Sequence, residues 1–294
     1  MKTTRLVRSV LLRSVIAGLM LLAGGAHAAN EHPAFTVKES GHGKPMILIP
    51  GLASSGAVWD GTVAHYSEHY HTYVLTLAGF AGVPAVEGPM LKQAEDSLAQ
   101  YIQTNHLDHP TIVGHSLGGV LALRMAVDHP EQVGTLVIVD SLPALGATQM
   151  PDATPAQLQA MASRVRDNME HNDAAHSDDA TRQTIASMVT APENVDTVVA
   201  WGKASDRHTV NDSMYDLLAT DLRPQMAQIK APTLVLGTWI AYKQYAPRSA
   251  IEATFQQQYA GLKGVKIELA DNARHFIMYD DPTWMFERMD AFLK

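Results

Sequence analysis

Apolar residues follow two alternating patterns along this chain. Dense aliphatic and β-branched runs recur at 46–49, 73–77, 111–113, 134–139, 233–236 and 265–269, most of them bounded by Gly, Pro or Asp. Runs of that length between turn residues read as buried strands. Helical spacing fills the intervals. In 91–107 the positions Leu91, Ala94, Leu98 and Ile102 mark one face, and in 284–293 Met285, Met289 and Phe292 do the same. Residues 34–50 read as a hairpin, with 35–38 extended, Gly41-His42-Gly43-Lys44-Pro45 turning, and 46–49 returning as a buried strand. Strands alternating with helices predict an α/β fold with a mostly parallel sheet covered on both faces.

One interval breaks the rhythm. Residues 142–230 carry no strand pattern and read as helices near 155–168, 179–190, 193–204 and 211–220. This insertion follows the strand that ends at Asp140. It is expected to form a helical cap over the carboxyl ends of the strands, where open α/β sheets bind ligands. The core is then 29–141 together with 231–294, and the Ala- and Asp-rich stretch 171–180 is an exposed cap loop.

The first 28 residues have a different texture. Lys2, Arg5, Arg8 and Arg13 precede a short apolar core at 14–23, and Ala26-His27-Ala28 is a small-x-small site before Ala29. That is the pattern of a secretory signal peptide, and it predicts a periplasmic or secreted protein. The alternative is a membrane anchor, but the apolar run is about half of the roughly 20 residues a span needs. About 266 residues remain, enough for one large α/β domain with an insertion. Removing the four cations moves the net charge from −8 to −12, which argues against nucleic acid or anionic lipid as partner. The chain has no cysteine, so thiol chemistry and thiolate metal sites are excluded.

Candidate chemistry centres on Gly114-His115-Ser116-Leu117-Gly118, a G-x-S-x-G pattern. The three fixed positions match by chance in roughly one chain in ten of this length, so the setting carries the weight. A strand pattern precedes it and a helical run follows, as a nucleophile elbow requires. A serine hydroxyl needs a base to take its proton. His275, on the loop after the last strand, is positioned to be that base. Two backbone N–H groups must face the developing oxyanion. The residue after the nucleophile, Leu117, supplies one. Leu52, in the loop Pro50-Gly51-Leu52-Ala53-Ser54-Ser55 after an early strand, supplies the other.

With Pro50-Gly51-Leu52, the elbow, Pro232-Thr233-Leu234-Val235-Leu236-Gly237 and Arg274-His275-Phe276, the chain resembles the α/β-hydrolase superfamily, and within it capped esterase-like members. The resemblance covers essentially the whole mature sequence. It implies an eight-stranded, mostly parallel sheet and a Ser–acid–His triad in that chain order. It implies no cofactor and no metal, and a small-molecule ester as partner. Two positions depart from the family pattern. Pro50 stands where many members have histidine. The stretch after Gly237, Thr238-Trp239-Ile240-Ala241-Tyr242-Lys243, lacks the carboxylate that many members carry there. Some members place the acid one strand earlier, which points to Asp140. Asp271, Asp280 and Asp281 are alternatives closer to His275 in sequence.

Other features invite chemistry. His65, Glu68, His69 and His71 have a spacing that can bind a metal, or simply decorate a solvated helix end. Met150, Met161, Met169, Met188, Met214 and Met226 fill the cap or form an adaptable apolar lid. Trp239 and Tyr242 are candidates for the pocket wall, and His115 reads as a tolerated residue within the elbow. The expected reaction is hydrolysis of a carboxylic ester by Ser116, Asp140 and His275. Lactone, amide or β-lactam hydrolysis and perhydrolysis remain open on the same residues, as does a binding protein that has lost catalysis.

Overall fold

The computed structural model describes residues 34–148, 150–171 and 178–294. The signal-peptide segment and most of the 171–180 loop lie outside the described residues. The strands are β1 (Phe35–Gly41), β2 (Lys44–Ile49), β3 (Tyr70–Leu77), β4 (Thr111–His115), β5 (Thr135–Val139), β6 (Thr233–Thr238) and β7 (Lys266–Ala270). The helices are α1 (Asp60–Tyr66), α2 (Met90–Thr104), α3 (Leu117–Asp128), α4 (Pro155–His171), α5 (Asp178–Met188), α6 (Pro192–Lys203), α7 (Arg207–Ala219), α8 (Arg248–Gln258), α9 (Ile277–Asp280) and α10 (Pro282–Leu293).

The sheet runs β1-β3-β2-β4-β5-β6-β7, parallel except for β1. Among the described residues it has seven strands, not eight. They are the seven that the residue pattern marks; the eighth rested on the resemblance alone. The expected hairpin is also corrected. β1 pairs antiparallel with β3, from Phe35↔Leu77 to Gly41↔His71, while β2 lies between β3 and β4. The reason is burial. Met46, Ile47, Leu48 and Ile49 are all fully buried, and such a strand needs a neighbour on each side. β1 is half-buried or exposed after Phe35, as an edge strand can be. The glycine turn between them packs on the α1–β3 turn instead of closing a hairpin. A Cβ on Gly41 would meet the Ser67 and Tyr70 carbonyl oxygens at 2.5 Å.

Period-two alternation sends each central strand to two cores. Ile47, Ile49, Ile112, Leu136, Ile138 and Val235 face one layer with Leu91 and Leu98 of α2 and Leu121 and Met125 of α3. Met46, Leu48, Val113, Val137, Val139, Leu234 and Leu236 face the other with Trp59, Phe276, and Met285 and Met289 of α10. Within the first layer Glu95 of α2, 1% exposed, is held by Arg124 of α3, whose Nε donates to Oε2 at 2.7 Å.

The insertion leaves the carboxyl end of β5 and contains helices but no strand among its described residues. Two of its helices, α4 and α7, start at side-chain caps. Thr154 and Gln157 form a reciprocal capping box for α4. α6 begins with Pro192, and Asp206 caps α7 by accepting from Thr209 N at 2.8 Å. Leu217 of α7 joins the first core, and Val195, Val198 and Val199 of α6 join the second. Leu158 of α4 packs separately on Ala144 and Ala147. No described helix is long and apolar enough to cross a membrane.

Candidate active site

The chain turns sharply between β4 and α3, and Ser116 occupies that turn at φ 52° and ψ −118°. A non-glycine residue there carries strain of about 1–3 kcal/mol and needs external support. The support comes from β5 and the residues after it. Ser116 N donates to the Val139 carbonyl at 3.0 Å, and Ser141 Oγ donates to the Ser116 carbonyl at 2.7 Å. The flanking glycines are steric necessities. A Cβ on Gly114 would stand 2.2 Å from the Gly118 oxygen, and one on Gly118 would stand 2.4 Å from the Ile49 oxygen. Gly51 of the early loop is less tightly confined, since its Cβ would lie 3.0 Å from His115 Nδ1 and 3.2 Å from Ser116 Cβ.

Asp140 lies between Val139 and Ser141, also at positive φ. Its Oδ2 is 2.6 Å from His275 Nδ1. Thr238, at the end of β6, holds the carboxylate from the other side, donating from N to Oδ1 at 3.0 Å and from Oγ1 to Oδ2 at 3.1 Å. The pair is shielded, with side chains 10% and 26% exposed. The remaining imidazole nitrogen, Nε2, is left for substrate chemistry. Ser116, Asp140 and His275 line one cavity of about 350 Å³. The Ser116 hydroxyl makes no hydrogen bond among the described residues.

Leu117 is the first residue of α3, so its N–H has no partner within the helix. Leu52 follows β2, which pairs with β4 at Ile49↔Gly114 and so brings the early loop beside the elbow. Ser54 Oγ donates to the Leu52 carbonyl at 3.1 Å and holds the Leu52–Ala53 peptide, next to the one that carries the Leu52 N–H. The other carboxylates are engaged elsewhere. Asp271 accepts from Trp239 Nε1 and Arg248 Nε, each at 2.8 Å. Asp280 binds Thr190 and the Arg274 N–H, and Asp281 caps α10.

Three residues of this network escape the sequence reading. Ser141 and Thr238 act through contacts that no local pattern announces; a threonine in place of the usual carboxylate after Gly237 was the one available hint. His115 is more than a tolerated residue. It is wholly buried, and its Nε2–H donates to the His275 carbonyl at 3.0 Å. Its ring centroid is 4.5 Å from that of His275, and its Nδ1 has no hydrogen-bond partner among the described residues. Burial, and then the charge of His275, hold its pKa well below the ordinary imidazole range, against the pull of that hydrogen bond.

The tempting clusters resolve otherwise. His65 pairs with Asp290 and stacks on Phe286, and His71 pairs with Glu39. Among the described residues no group of three or more His, Asp or Glu is gathered to hold a metal. None of these insertion methionines is among the described residues that line the cavity beside Ser116, and core filling accounts for Met226 in the first core and Met161 beside Leu158. Tyr242 lines the cavity, whereas Trp239 turns to Asp271.

Comparison with known proteins follows the same lines. A pimeloyl-(acyl-carrier protein) methyl ester esterase from Aeromonas salmonicida is 27% identical over 256 residues, covering 81% of this chain and 92% of that protein. A protein of the same name from Vibrio cholerae is 32% identical over 108 residues, covering 37% of this chain and 41% of its own length. The chain thus spans about two fifths of that relative. An esterase from Exiguobacterium antarcticum superposes with a TM-score of 0.72 over 88% of this chain and 95% of its own, at 16% identity, which is a likeness of fold. A model of the alpha/beta hydrolase family matches residues 46–288, from β2 to the closing helix, and this chain belongs to that family.

Proposed function

We propose that the protein is a serine hydrolase that cleaves a carboxylic ester through an acyl-enzyme on Ser116. Ser116 Oγ attacks the ester carbonyl while His275 Nε2 takes its proton. The Leu52 and Leu117 N–H groups hold the oxyanion of the tetrahedral intermediate. The intermediate collapses, and His275 returns the proton to the departing alcohol. Water then attacks the acyl group, losing its proton to His275 Nε2. Ser116 leaves with that proton, and the carboxylic acid is released. Asp140 keeps the His275 proton on Nδ1 and stabilises the imidazolium. The insertion 142–230 serves as the cap, and residues 1–28 direct export with cleavage before Ala29; N-terminal sequencing of exported protein that begins elsewhere would reject that site.

The observation that carries this reading is the 2.6 Å contact from His275 Nδ1 to Asp140 Oδ2, on the wall of the cavity that Ser116 also lines. Fluorophosphonate labelling and p-nitrophenol release from p-nitrophenyl butyrate test it, with Ser116→Ala beside the wild type. Wild-type protein should label and turn over. Ser116→Ala should fold, fail to label, and lose turnover by a factor on the order of 10⁶. Wild-type activity in Ser116→Ala would reject the mechanism.

A further inference from the structure

The cavity beside Ser116 is walled by Leu142, Leu145, Leu217, Ile251 and Phe255. Apart from Asp140 and His275, no charged residue lines it among the described residues. Its hydroxyls are already spent as donors. Ser141 Oγ donates to the Ser116 carbonyl at 2.7 Å, Thr148 Oγ1 to the Leu145 carbonyl at 2.8 Å, and Thr254 Oγ1 to the Ala250 carbonyl at 3.0 Å. Beyond Ser116 and His275, the half-exposed Tyr242 phenol is, among the described residues, the one lining side chain with an uncommitted donor. A charged group entering this space would lose its hydration and find no cation and almost no donor, which is strongly unfavourable.

The group bonded to Ser116 in the acyl-enzyme must occupy the space that Ser116 borders, whereas the alcohol only departs through it. A volume of about 350 Å³ is at the small end for a ligand pocket. Taking a methylene as similar in size to a water molecule, roughly 30 Å³ in the liquid, the space holds on the order of ten such units. We propose, resting on the serine hydrolase reading, that the substrates are esters of uncharged, apolar carboxylic acids of medium chain length or one ring. Acyl groups with a terminal carboxylate are excluded.

The experiment uses mature protein whose serine has first been titrated with a fluorophosphonate. Hydrolysis is then compared for p-nitrophenyl acetate, hexanoate, octanoate and palmitate. Mono-(4-nitrophenyl) adipate and its methyl ester are included; the former places a carboxylate at the end of a six-carbon acyl chain. kcat/KM should rise about fourfold per added methylene, peak at hexanoate or octanoate, and fall by palmitate. The adipate half-ester should run on the order of 100-fold below hexanoate, and its methyl ester should recover most of that loss. Leu145→Trp should lower the octanoate-to-acetate ratio at least tenfold; if that variant does not fold, the wild-type panel decides alone. Equal turnover of half-ester and hexanoate, a flat chain-length profile, or a protein that labels yet cleaves none of these esters would overturn the inference. Absence of labelling would instead remove the serine hydrolase reading on which it rests.

Discussion

Replacing Asp140 with Asn probes the orientation of His275 without removing a side chain. The Thr238 N–H is a fixed donor 3.0 Å from Oδ1. The carboxamide oxygen therefore stays at that position, and the NH₂ group takes the place of Oδ2. It then faces His275 Nδ1 across the 2.6 Å contact. Two donors cannot share that contact, so the imidazole moves its proton to Nε2 and offers the Nδ1 lone pair. Nε2 can no longer accept the Ser116 proton. Thr238 Oγ1 turns to accept from the new NH₂, so the local hydrogen bonds survive and the fold should too. Loss of the correct tautomer in such triads costs about 10,000-fold in kcat. At 1.36 kcal/mol per decade that is about 5 kcal/mol of transition-state stabilisation. The assay is steady-state hydrolysis of p-nitrophenyl butyrate, with thermal unfolding as the control. A folded Asp140→Asn protein within tenfold of wild type would refute the assignment of the acid.

Two further outcomes concern stability. Unfolded chain protonates His115 as pH falls through about 6.5, while the buried residue resists protonation, so the unfolded state binds more protons and stability declines toward acid. Urea unfolding of His115→Gln should show it gaining about 1.4 kcal/mol relative to wild type between pH 7.5 and 5.5, and parallel pH dependences would contradict this. Arg124→Leu leaves the Glu95 carboxylate buried without its partner and should cost about 3–5 kcal/mol at pH 8. Burial already pushes the Glu95 carboxyl pKa up, against the pull of Arg124. Without Arg124 the folded protein takes up that proton more readily than the unfolded chain, so the penalty should shrink toward pH 5; a penalty that grows there would be the wrong sign.

What the chain discloses in advance depends on how local the determinant is. The runs at 46–49 and 134–139 are legible because continuous burial leaves no polar position to interrupt them. The pairing of β1 is not, because its partner lies beyond β2 and α1, and a glycine turn fits either topology. Ser116 and His275 are marked by their immediate neighbours. Asp140 is reached only through the family resemblance, in which some members place the acid at that strand end in the same chain order. Thr238 and Ser141 lie 98 residues from Asp140 and 25 from Ser116 respectively, and only the closed sheet brings each pair together. His115 is hidden for the same reason, since its partner carbonyl is 160 residues away.

Residues 139–141 hold three parts of the apparatus in succession: the carbonyl that anchors Ser116 N, the carboxylate that meets His275, and the hydroxyl that grips the Ser116 carbonyl. His115 and Val139 are also partners across β4 and β5. The proposed chemistry thus draws on this short stretch, on the elbow and on His275. The segment from Trp239 to Pro247, where many members of the family carry the acid, holds no carboxylate here. It forms part of the cavity wall through Tyr242 and owes nothing to proton transfer beyond Thr238 at its root. Changes there can retune what the protein accepts while leaving intact how it reacts, which makes that segment the natural place for new specificities to arise or to be grafted.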